Sequence, residues 1–257
     1  MSGATSGRPA GRALVVVAHP DDVDFGAAGT VATWVGAGTE VAYCIVTDGD
    51  AGGFDSKVPR ADIAGIRRAE QRAAAAVVGV TDVRFLGYPD GRVAAGIELR
   101  RDIARVIRQV RPDRVLTQSP VRNLDRIQVS HPDHLAVGEA TLCAVYPDAR
   151  NPFAHPELAE EGLAPHVVSE VWLAGFGSGT EGGTGDGAGA AGRPRMVAVD
   201  VTAVVDRKLD ALRCHESQMV EISDLEGMIR GWLSATAAGA GLPAGRLAEA
   251  FRVVPTG

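Results

Sequence analysis

Short apolar runs alternate with amphipathic stretches along the first half of the chain. Residues 13–18 (ALVVVA) and 41–47 (VAYCIVT) are uninterrupted apolar runs, which are typical of strands buried on both faces of a parallel sheet. Residues 26–36 and 60–78, which follow these runs, carry apolar residues at helical spacing. The alternation predicts an α/β fold with a doubly wound, mostly parallel sheet flanked by helices, whose sites lie at the carboxyl ends of the strands.

The same alternation continues toward the end of the chain. Further strands are predicted at 83–86, 114–118, 168–175 and 196–201, further helices at 97–110, 134–145 and 203–219, and mostly helical structure beyond. No linker interrupts the pattern, so we expect one domain over residues 13–257 after a flexible tail at 1–12. Residues 177–195 are rich in glycine and nearly free of apolar side chains, which predicts a mobile loop.

Composition and charge restrict the classes of function. The 26 basic and 32 acidic residues give a net charge of -6, which excludes a nucleic-acid-binding surface as the main function. No apolar run is long enough to span a membrane, and residues 1–12 lack the apolar segment of a secretory signal. The three cysteines lack metal or redox spacing and are predicted to be buried free thiols. We therefore expect a soluble cytoplasmic protein that binds neither nucleic acid nor a membrane, and leave homo-oligomerisation open.

Two similar tetrapeptides carry the candidate chemistry. HPDD at 19–22 follows the first predicted strand, and HPDH at 131–134 stands where a loop enters a helix. Capping of helix N-termini alone would explain the aspartates, but it requires no histidine. Brought together at one edge of the sheet, the two motifs can supply three nitrogen and oxygen ligands and leave a position for water, as in catalytic zinc sites.

Several motifs in the same order resemble the LmbE-like, or PIG-L, family of metal-dependent N-deacetylases. They are AHPDD, GAAGT, TDGDAGG, IRRAEQRAAAAVVGV, LGYPDG, SHPDHLAVGEA and CHESQ, and they extend from residue 14 to about residue 218. The resemblance implies a Rossmann-like fold and the zinc-dependent hydrolysis of an acetamide, commonly on a substrate that contains N-acetylglucosamine. Two positions depart from the usual pattern: Val23 replaces a common glutamate, and Ala28 replaces the first residue of a common Gly-Gly pair.

The resemblance assigns the metal ligands. His19, Asp22 and His134 match the zinc ligands of the family, and another divalent metal remains an alternative. Zinc lowers the pKa of a bound water to about 7, so a hydroxide nucleophile is available near neutral pH.

The resemblance also assigns the catalytic residues. Asp21 matches the general base that activates the metal-bound water. His131 matches the histidine that acts as an acid or stabilises the oxyanion, and Asp133 is expected to orient His131 and favour its protonated form. Whether Asp21 or His131 protonates the leaving amine is left open.

A further set of residues is predicted to contact the substrate: Asp50, Arg67, Arg122, Asn123 and His215. Each has an ordinary structural alternative. Arg67 fits a surface ion pair with Glu70, Asp50 fits a turn, and His215 fits a packed helical histidine. Asp90, in YPDG, is predicted to be a turn residue only.

Three functions are compatible with these patterns. The first is a zinc-dependent hydrolase that removes an acetyl or other acyl group from an N-acetylated amino sugar or a related metabolite. The second is an amidase acting on a different small-molecule amide, such as a thiol conjugate or a secondary metabolite. The third is a non-catalytic Rossmann-like binding protein, for which Asp21 would be dispensable.

Overall fold

A computed structural model of the chain describes residues 10–53, 57–124, 127–175 and 195–257. The flexible tail predicted at 1–12 and the mobile loop predicted at 177–195 lie almost wholly outside the described residues. The account below concerns the described ranges.

One sheet contains all the strands of the described ranges. They are β1 (Arg12–Val17), β2 (Glu40–Thr47), β3 (Asp82–Tyr88), β4 (Arg114–Gln118), β5 (Glu170–Ala174), β6 (Arg195–Asp200) and β7 (Ala248–Pro255). Their order is β3-β2-β1-β4-β5-β7-β6. The first five strands of this order pair in parallel, whereas β7 is antiparallel to both of its neighbours.

Helices cover both faces of the sheet. They are α1 (Asp22–Gly26), α2 (Ala28–Gly36), α3 (Arg60–Val78), α4 (Ile97–Val110), α5 (Pro132–Cys143), α6 (Pro156–Glu160), α7 (Val205–Arg213), α8 (Glu216–Met219) and α9 (Leu225–Gly239). Residues of α4 and α5 pack in one core layer, residues of α2, α3 and α7 in the other, and α9 joins α7 in a third cluster near β7.

The apolar run of β1 explains its central place in the sheet. Leu14 and Val16 belong to one core layer, while Val15 and Val17 belong to the other. All four side chains are at most 2% exposed. A strand buried on both faces has no polar side, so its sequence is continuously apolar rather than alternating.

The predicted architecture is confirmed, with corrections in the last third of the chain. Mostly helical structure was expected beyond residue 219, but Ala248–Pro255 forms β7 between β5 and β6. The helix predicted over 203–219 is interrupted, because α7 ends at Arg213 and α8 begins at Glu216.

The cysteines are free thiols, but the expectation that all are buried is wrong for two of them. Cys44 is buried in β2, whereas Cys143 and Cys214 are partly exposed. Among the described residues, no helix combines the length and apolar character needed to cross a bilayer.

The strand order reverses direction between β1 and β4, which are neighbours although β2 and β3 lie between them in sequence. In doubly wound sheets a crevice for ligands opens at the carboxyl ends of such a strand pair. The HPDD motif follows β1, and the loop after β4 leads into HPDH at the start of α5. The topology therefore brings the two motifs to one edge of the sheet.

A glycine sets the distance between α5 and the end of β4. A Cβ atom on Gly138 would clash with the carbonyl oxygen of Gln118 and lie 2.9 Å from the nitrogen of Pro120. Only glycine allows this close approach of two backbones. The contact fixes α5, and the histidines at its N-terminus, against the carboxyl end of the sheet.

Candidate functional site

The turn after β1 places His19 and Asp22 side by side. The backbone N–H of His19 donates to Asp22 Oδ2 at 2.7 Å, which folds the Asp22 carboxylate back toward the end of the strand. Asp21, between them at the start of α1, has φ of 87°, in the left-handed region that is costly for a residue with a Cβ atom. A non-glycine residue held in this conformation is typical of functional sites.

The start of α5 presents the second pair of histidines. His131 caps the helix, and its Nδ1 atom accepts a hydrogen bond from the backbone N–H of Asp133 at 3.2 Å. Pro132 occupies the first helical position, where its missing N–H is not needed. His134, one turn after His131, reaches the residues that follow β1.

Two ring nitrogens and the carboxylate of Asp22 form a small triangle at this edge. His19 Nδ1 lies 3.2 Å from His134 Nε2 and 3.4 Å from Asp22 Oδ2. His134 Nε2 lies 3.0 Å from Asp22 Oδ1. Ligands at about 2.0–2.1 Å from a tetrahedral ion are about 3.3 Å apart, so this spacing fits one metal ion.

Carboxylates hold the other side of the His19 ring. His19 Nε2 lies 3.0 Å from Asp90 Oδ1 and 3.2 Å from Asp133 Oδ2. Asp133 also accepts hydrogen bonds from the backbone N–H groups of Gly91 and Val93. A carboxylate that accepts the Nε2 proton leaves Nδ1 with its lone pair free, as is usual for histidines that bind metals.

The charges of this cluster favour a cation. Burial alone would lower the pKa of His19, but hydrogen bonds to Asp133, Asp22 and Asp90 raise it to about 12. The charge of Asp22 likewise outweighs burial and raises the pKa of His134. Conversely, the neighbouring histidines outweigh burial and lower the pKa of Asp22. Several carboxylates thus stabilise positive charge where two ring nitrogens face each other, which suits a divalent ion.

Two other groupings of donors share His19. One combines it with His131 and His134, and the other with Asp90 and Asp133. In the second, the carboxylates reach the Nε2 side of the ring, opposite the atom that faces His134. In the first, His131 has its Nδ1 atom occupied by the backbone of α5. The grouping of His19, Asp22 and His134 is the one that the family resemblance predicts, and in it the Nδ1 atom of His19 faces the Nε2 atom of His134.

Asp21 is buried beside this cluster. Burial raises the pKa of its carboxyl to about 7, although the positive charge of Arg67 opposes the shift. Arg67 Nη2 donates to Asp21 Oδ2 at 2.8 Å, and the amide oxygen of Gln71 accepts from the backbone N–H of Asp21 at 2.8 Å. Two residues of α3 therefore hold both the carboxylate and the strained backbone of Asp21.

The predicted partnership of Asp133 with His131 is not found. The Asp133 carboxylate contacts His19, Gly91 and Val93, and only its backbone N–H reaches the His131 ring. Burial, with the charges of His19 and His134, lowers the pKa of His131. His131 is therefore favoured as a neutral ring with its proton on Nε2, rather than in the protonated form that we expected.

His215, which was predicted to contact the substrate, is buried among protein groups and fits its structural alternative as a packed histidine. Its side chain is fully buried, and Nε2 lies 2.9 Å from Asp24 Oδ2. The same Asp24 oxygen accepts a hydrogen bond from Gln71 Nε2 at 2.8 Å. Asp24, Gln71 and His215 thus form a buried chain of polar contacts that ends at the backbone of Asp21.

Arg67 and Asp50, which were also predicted to contact the substrate, lie beside the cluster and bind other protein groups. Arg67 is 4% exposed and also donates to the carbonyl oxygens of Pro20 and Gly49. Asp50 accepts from the backbone N–H of Asp90 and pairs with Arg60 at 2.8 Å. The structure therefore gives both residues protein partners beside the cluster.

Arg122 and Asn123 lie in the loop between β4 and α5. The Arg122 guanidinium donates to the Ser130 carbonyl oxygen at 3.4 Å, and the Asn123 backbone N–H donates to Ser130 Oγ at 2.7 Å. Asn123 lines a cavity next to the cluster. Of the predicted substrate residues, it lies best for contact with a bound molecule.

Sequence reasoning missed the role of Asp90, which was predicted to be a turn residue only. Its Oδ1 atom contacts His19 across the sheet edge, while its Oδ2 atom accepts from the backbone N–H of Ala51 at 3.2 Å. The available signal was its position just after β3, at the same carboxyl edge as both motifs. Asp24 and Gln71 carried no comparable signal, since each lies on a helix among buried residues.

A cavity of about 480 Å³ opens beside Asp22 and His134 and extends to α9. This volume is within the range of small-molecule sites. Another cavity of about 530 Å³, lined by residues of α8 and the turn before α9, contains none of the donor residues. The cavity beside Asp22 and His134 is therefore the candidate substrate site.

Comparison with known proteins agrees with this geometry. The family model of the PIG-L GlcNAc-PI de-N-acetylases matches residues 14–145. A diacetylchitobiose deacetylase of Thermococcus kodakarensis is 31% identical over 245 residues, which cover 95% of this chain and 83% of the relative. A 1D-myo-inositol 2-acetamido-2-deoxy-alpha-D-glucopyranoside deacetylase of Kineococcus radiotolerans is 31% identical over 256 residues, covering 81% of this chain and 69% of the relative.

A solved structure extends the likeness to the fold. The N,N'-diacetylchitobiose deacetylase of Pyrococcus horikoshii superimposes with a TM-score of 0.80 at 27% sequence identity, covering 96% of this chain and 84% of that one. A mostly parallel sheet flanked by helices is the fold that this chain shares with that protein. Sequence, fold and family model agree, and the chain belongs to the PIG-L family of de-N-acetylases.

Proposed function

We propose that the protein is a zinc-dependent N-deacetylase that releases acetate from an N-acetylated amino sugar or a related small metabolite. The observation that carries the proposal is the triangle of His19 Nδ1, Asp22 and His134 Nε2, with sides of 3.0–3.4 Å, next to the buried carboxylate of Asp21. The deacetylase names of the relatives support the reaction, and their N-acetylated sugar substrates support the substrate class.

The donor set supports zinc. Two imidazole nitrogens and one carboxylate are a usual set for catalytic zinc, with a remaining position for water or substrate. When bound, the ion supplies Lewis acidity to the scissile carbonyl and lowers the pKa of water at the site. His19, Asp22 and His134 hold the ion, while Asp90 and Asp133 fix the ring of His19 and keep its proton on Nε2.

Asp21 takes the proton from the attacking water. Burial raises its pKa to about 7, so it is a stronger base than an exposed carboxylate and is still partly ionised near neutral pH. As the water oxygen bonds to the amide carbon, its proton passes to the Asp21 carboxylate. When the C–N bond breaks, the amine nitrogen takes this proton, and Asp21 returns to its starting form.

His131 stabilises the carbonyl oxygen as charge develops on it. Because Nδ1 accepts from the backbone N–H of Asp133, the neutral ring carries its proton on Nε2 and can donate it in a hydrogen bond. A neutral donor cannot readily give this proton away. This division of roles assigns the leaving amine to Asp21 and the oxyanion to His131.

The remaining expectations follow from the same site. The cavity beside Asp22 and His134 suits a small molecule. The net charge of -6 and the free cysteines are consistent with an enzyme that works in the cytoplasm.

Elemental analysis of protein purified without added metal tests the choice of zinc. We expect one equivalent of zinc, and less than half an equivalent would contradict the choice.

Acetate release from N-acetylglucosamine and its glycosides tests the reaction. We expect activity with one equivalent of zinc, a loss of at least about 100-fold in kcat for Asp21→Asn, and no zinc binding at one equivalent for His134→Ala. Asp62→Asn, in the first turn of α3, is the matched control for the carboxylate and should retain activity. If the zinc-loaded, folded protein releases no acetate from a panel of acetamides, the proposal is wrong.

A further inference from the structure

Apolar side chains form a large part of the cavity beside Asp22 and His134. Its volume of about 480 Å³ is bounded at one end by these two residues and at the other by α9. Six side chains form what we name the apolar wall: Phe25, Val121, Val129, Ile229, Trp232 and Leu233. They come from α1, from the loop after β4 and from α9, so three separate segments contribute apolar surface to one space.

Part of the apolar wall is open rather than packed. Trp232 is 49% exposed, Val121 is 53% exposed and Val129 is 37% exposed. Ile229 and Leu233, one helical turn from Trp232 or next to it, are 1% and 5% exposed and anchor α9 in the core. The helix is therefore fixed, and it presents the indole of Trp232 from a rigid base.

The charged groups of the cavity do not call for a charged ligand. Lys208 donates to Glu249 Oε1 at 2.8 Å and to the carbonyl oxygens of Asp24 and Phe25. Glu249 also accepts from the backbone N–H groups of Gly29 and Thr30 at the start of α2. The side chains of Lys208 and Glu249 are 1% and 3% exposed. Both charges have protein partners, so at the α9 end of the cavity the apolar wall offers the larger surface to a ligand.

We propose that the apolar wall binds an apolar substituent carried by the amide substrate, and that Trp232 makes the enzyme selective for it. This inference rests on the proposed deacetylase function and narrows its substrate class. Hydroxyl groups of a sugar placed against this wall would lose hydrogen bonds to water without replacement, whereas an alkyl or aryl group gains by burial. The group is either an acyl chain longer than acetyl or an apolar group on the amine side.

Two substrate series test the inference and separate these sources. The first is glucosamine with N-acetyl, N-butyryl and N-hexanoyl groups. The second is the methyl, butyl and hexyl β-glycosides of N-acetylglucosamine. Each methylene that enters the cavity should raise kcat/KM about threefold to fourfold. We expect this rise in one series only, and that series shows which side of the amide carries the apolar group.

Variants test whether the rise in kcat/KM with chain length depends on the apolar wall. Trp232→Ala should remove most of the rise of kcat/KM with chain length, and Trp232→Phe should keep it. Phe153→Ala is the matched control, because Phe153 is 88% exposed and does not line the cavity. A rise that is absent in both series, or that survives Trp232→Ala, overturns the inference and leaves the deacetylase function standing.

Two more outcomes are informative. If neither series rises and Trp232→Ala lowers the sedimentation coefficient, the wall is an interface between copies of the chain, and the inference is overturned. If no amide is hydrolysed at all, the deacetylase function fails, and calorimetry decides the inference. It stands if the hexyl glycoside binds the zinc-loaded protein at least tenfold more tightly than the methyl glycoside, or N-hexanoylglucosamine at least tenfold more tightly than N-acetylglucosamine, and Trp232→Ala abolishes the difference. Equal binding within both pairs overturns it.

Discussion

The Nδ1 atom of His19 and the Nε2 atom of His134 face each other at 3.2 Å, although 115 positions separate them in the sequence. Two rings that each carried a proton on the facing nitrogen would repel at this distance, so one of the two nitrogens keeps its lone pair and can accept a hydrogen bond or bind a metal ion. The Asp22 carboxylate bridges the pair, with one oxygen near each ring. This relationship makes the affinity for metal the most direct property to measure.

Loss of one of these nitrogens should weaken metal binding severely. Loss of a residue that only contacts a metal ligand typically raises the dissociation constant of the metal about 10–100-fold. For His134→Ala, which removes a ligand itself, we expect a larger rise in the zinc dissociation constant. For Asp133→Asn, which alters a partner of His19, we expect a rise within that range. Competition with a chromophoric chelator measures both. His166→Ala is the control, because His166 Nε2 contacts the Pro112 carbonyl oxygen instead. Unchanged affinity in His134→Ala would contradict the assignment.

Gln71 should act as a positioning residue for Asp21. Its amide holds the backbone N–H of Asp21 and the carboxylate of Asp24. We expect Gln71→Ala to lower kcat about 10–100-fold through misplacement of Asp21, with little change in KM or in zinc affinity.

The control for this variant is Gln109→Ala, because Gln109 accepts a hydrogen bond from Arg84 at an exposed position. Stability must be measured alongside, since an unpaired buried group costs about 1–3 kcal/mol. An equal fall in kcat and in the folded fraction would indicate a structural role only.

Substitutions of the buried pair Lys208 and Glu249 should have non-additive effects on the free energy of unfolding. Removing one member leaves a buried charge without its partner, which costs about 3–5 kcal/mol. We therefore expect Lys208→Met to lower the free energy of unfolding by about this amount. The double variant Lys208→Met with Glu249→Gln should be less destabilised than Lys208→Met alone. Urea unfolding followed by circular dichroism checks the cycle, and strict additivity would show that the two charges do not interact.

Thiol reactivity should separate the cysteines. Burial raises the pKa of Cys44 to about 12, so its reactive thiolate is scarce at neutral pH and its sulfur is covered. Cys143 and Cys214 are partly exposed. With a chromogenic disulfide reagent at pH 8, we expect two thiols to react in the native protein and the third only at the rate of unfolding. Cys44→Ser identifies the slow thiol, and rapid reaction of all three would contradict the packing of β2.

The parts of the fold that could be predicted from sequence are those that local patterns specify. The run ALVVVA has the same apolar character on both faces and could hardly be anything but a buried strand. The sequence of β7 (AEAFRVVP) begins with alanine and glutamate, which favour helices in isolation. It is a strand because β5 and β6 offer hydrogen-bonding edges on either side, and this tertiary effect is invisible in the segment itself.

The residues of the candidate site also fall into two groups, those that local sequence motifs predict and those that only long-range packing brings to the site. His19, Asp22 and His134 come from two motifs whose composition signals metal chemistry. Asp90 and Gln71 reach the site only because β3 and α3 pack beside β1, and single turn or helix positions do not encode such long-range contacts. The prediction for Asp133 was wrong for a related reason. Asp133 is only two residues from His131 in the sequence, which suggested that its carboxylate contacts His131. In the structure α5 directs this carboxylate toward His19 instead.

The close contact of Gly138 with the end of β4 lets two neighbouring segments have different functions: α5 holds His134, and the connection from β4 lines the cavity. The backbone of α5 contacts the end of the sheet directly at Gly138, so the position of His134 is supported by the sheet as well as by the connection from β4. That connection carries Val121, Asn123 and Val129 along the cavity. Substitutions there can exchange one substrate for another while the ligand geometry stays constant, which would let relatives diversify in specificity without rebuilding the centre that performs the hydrolysis.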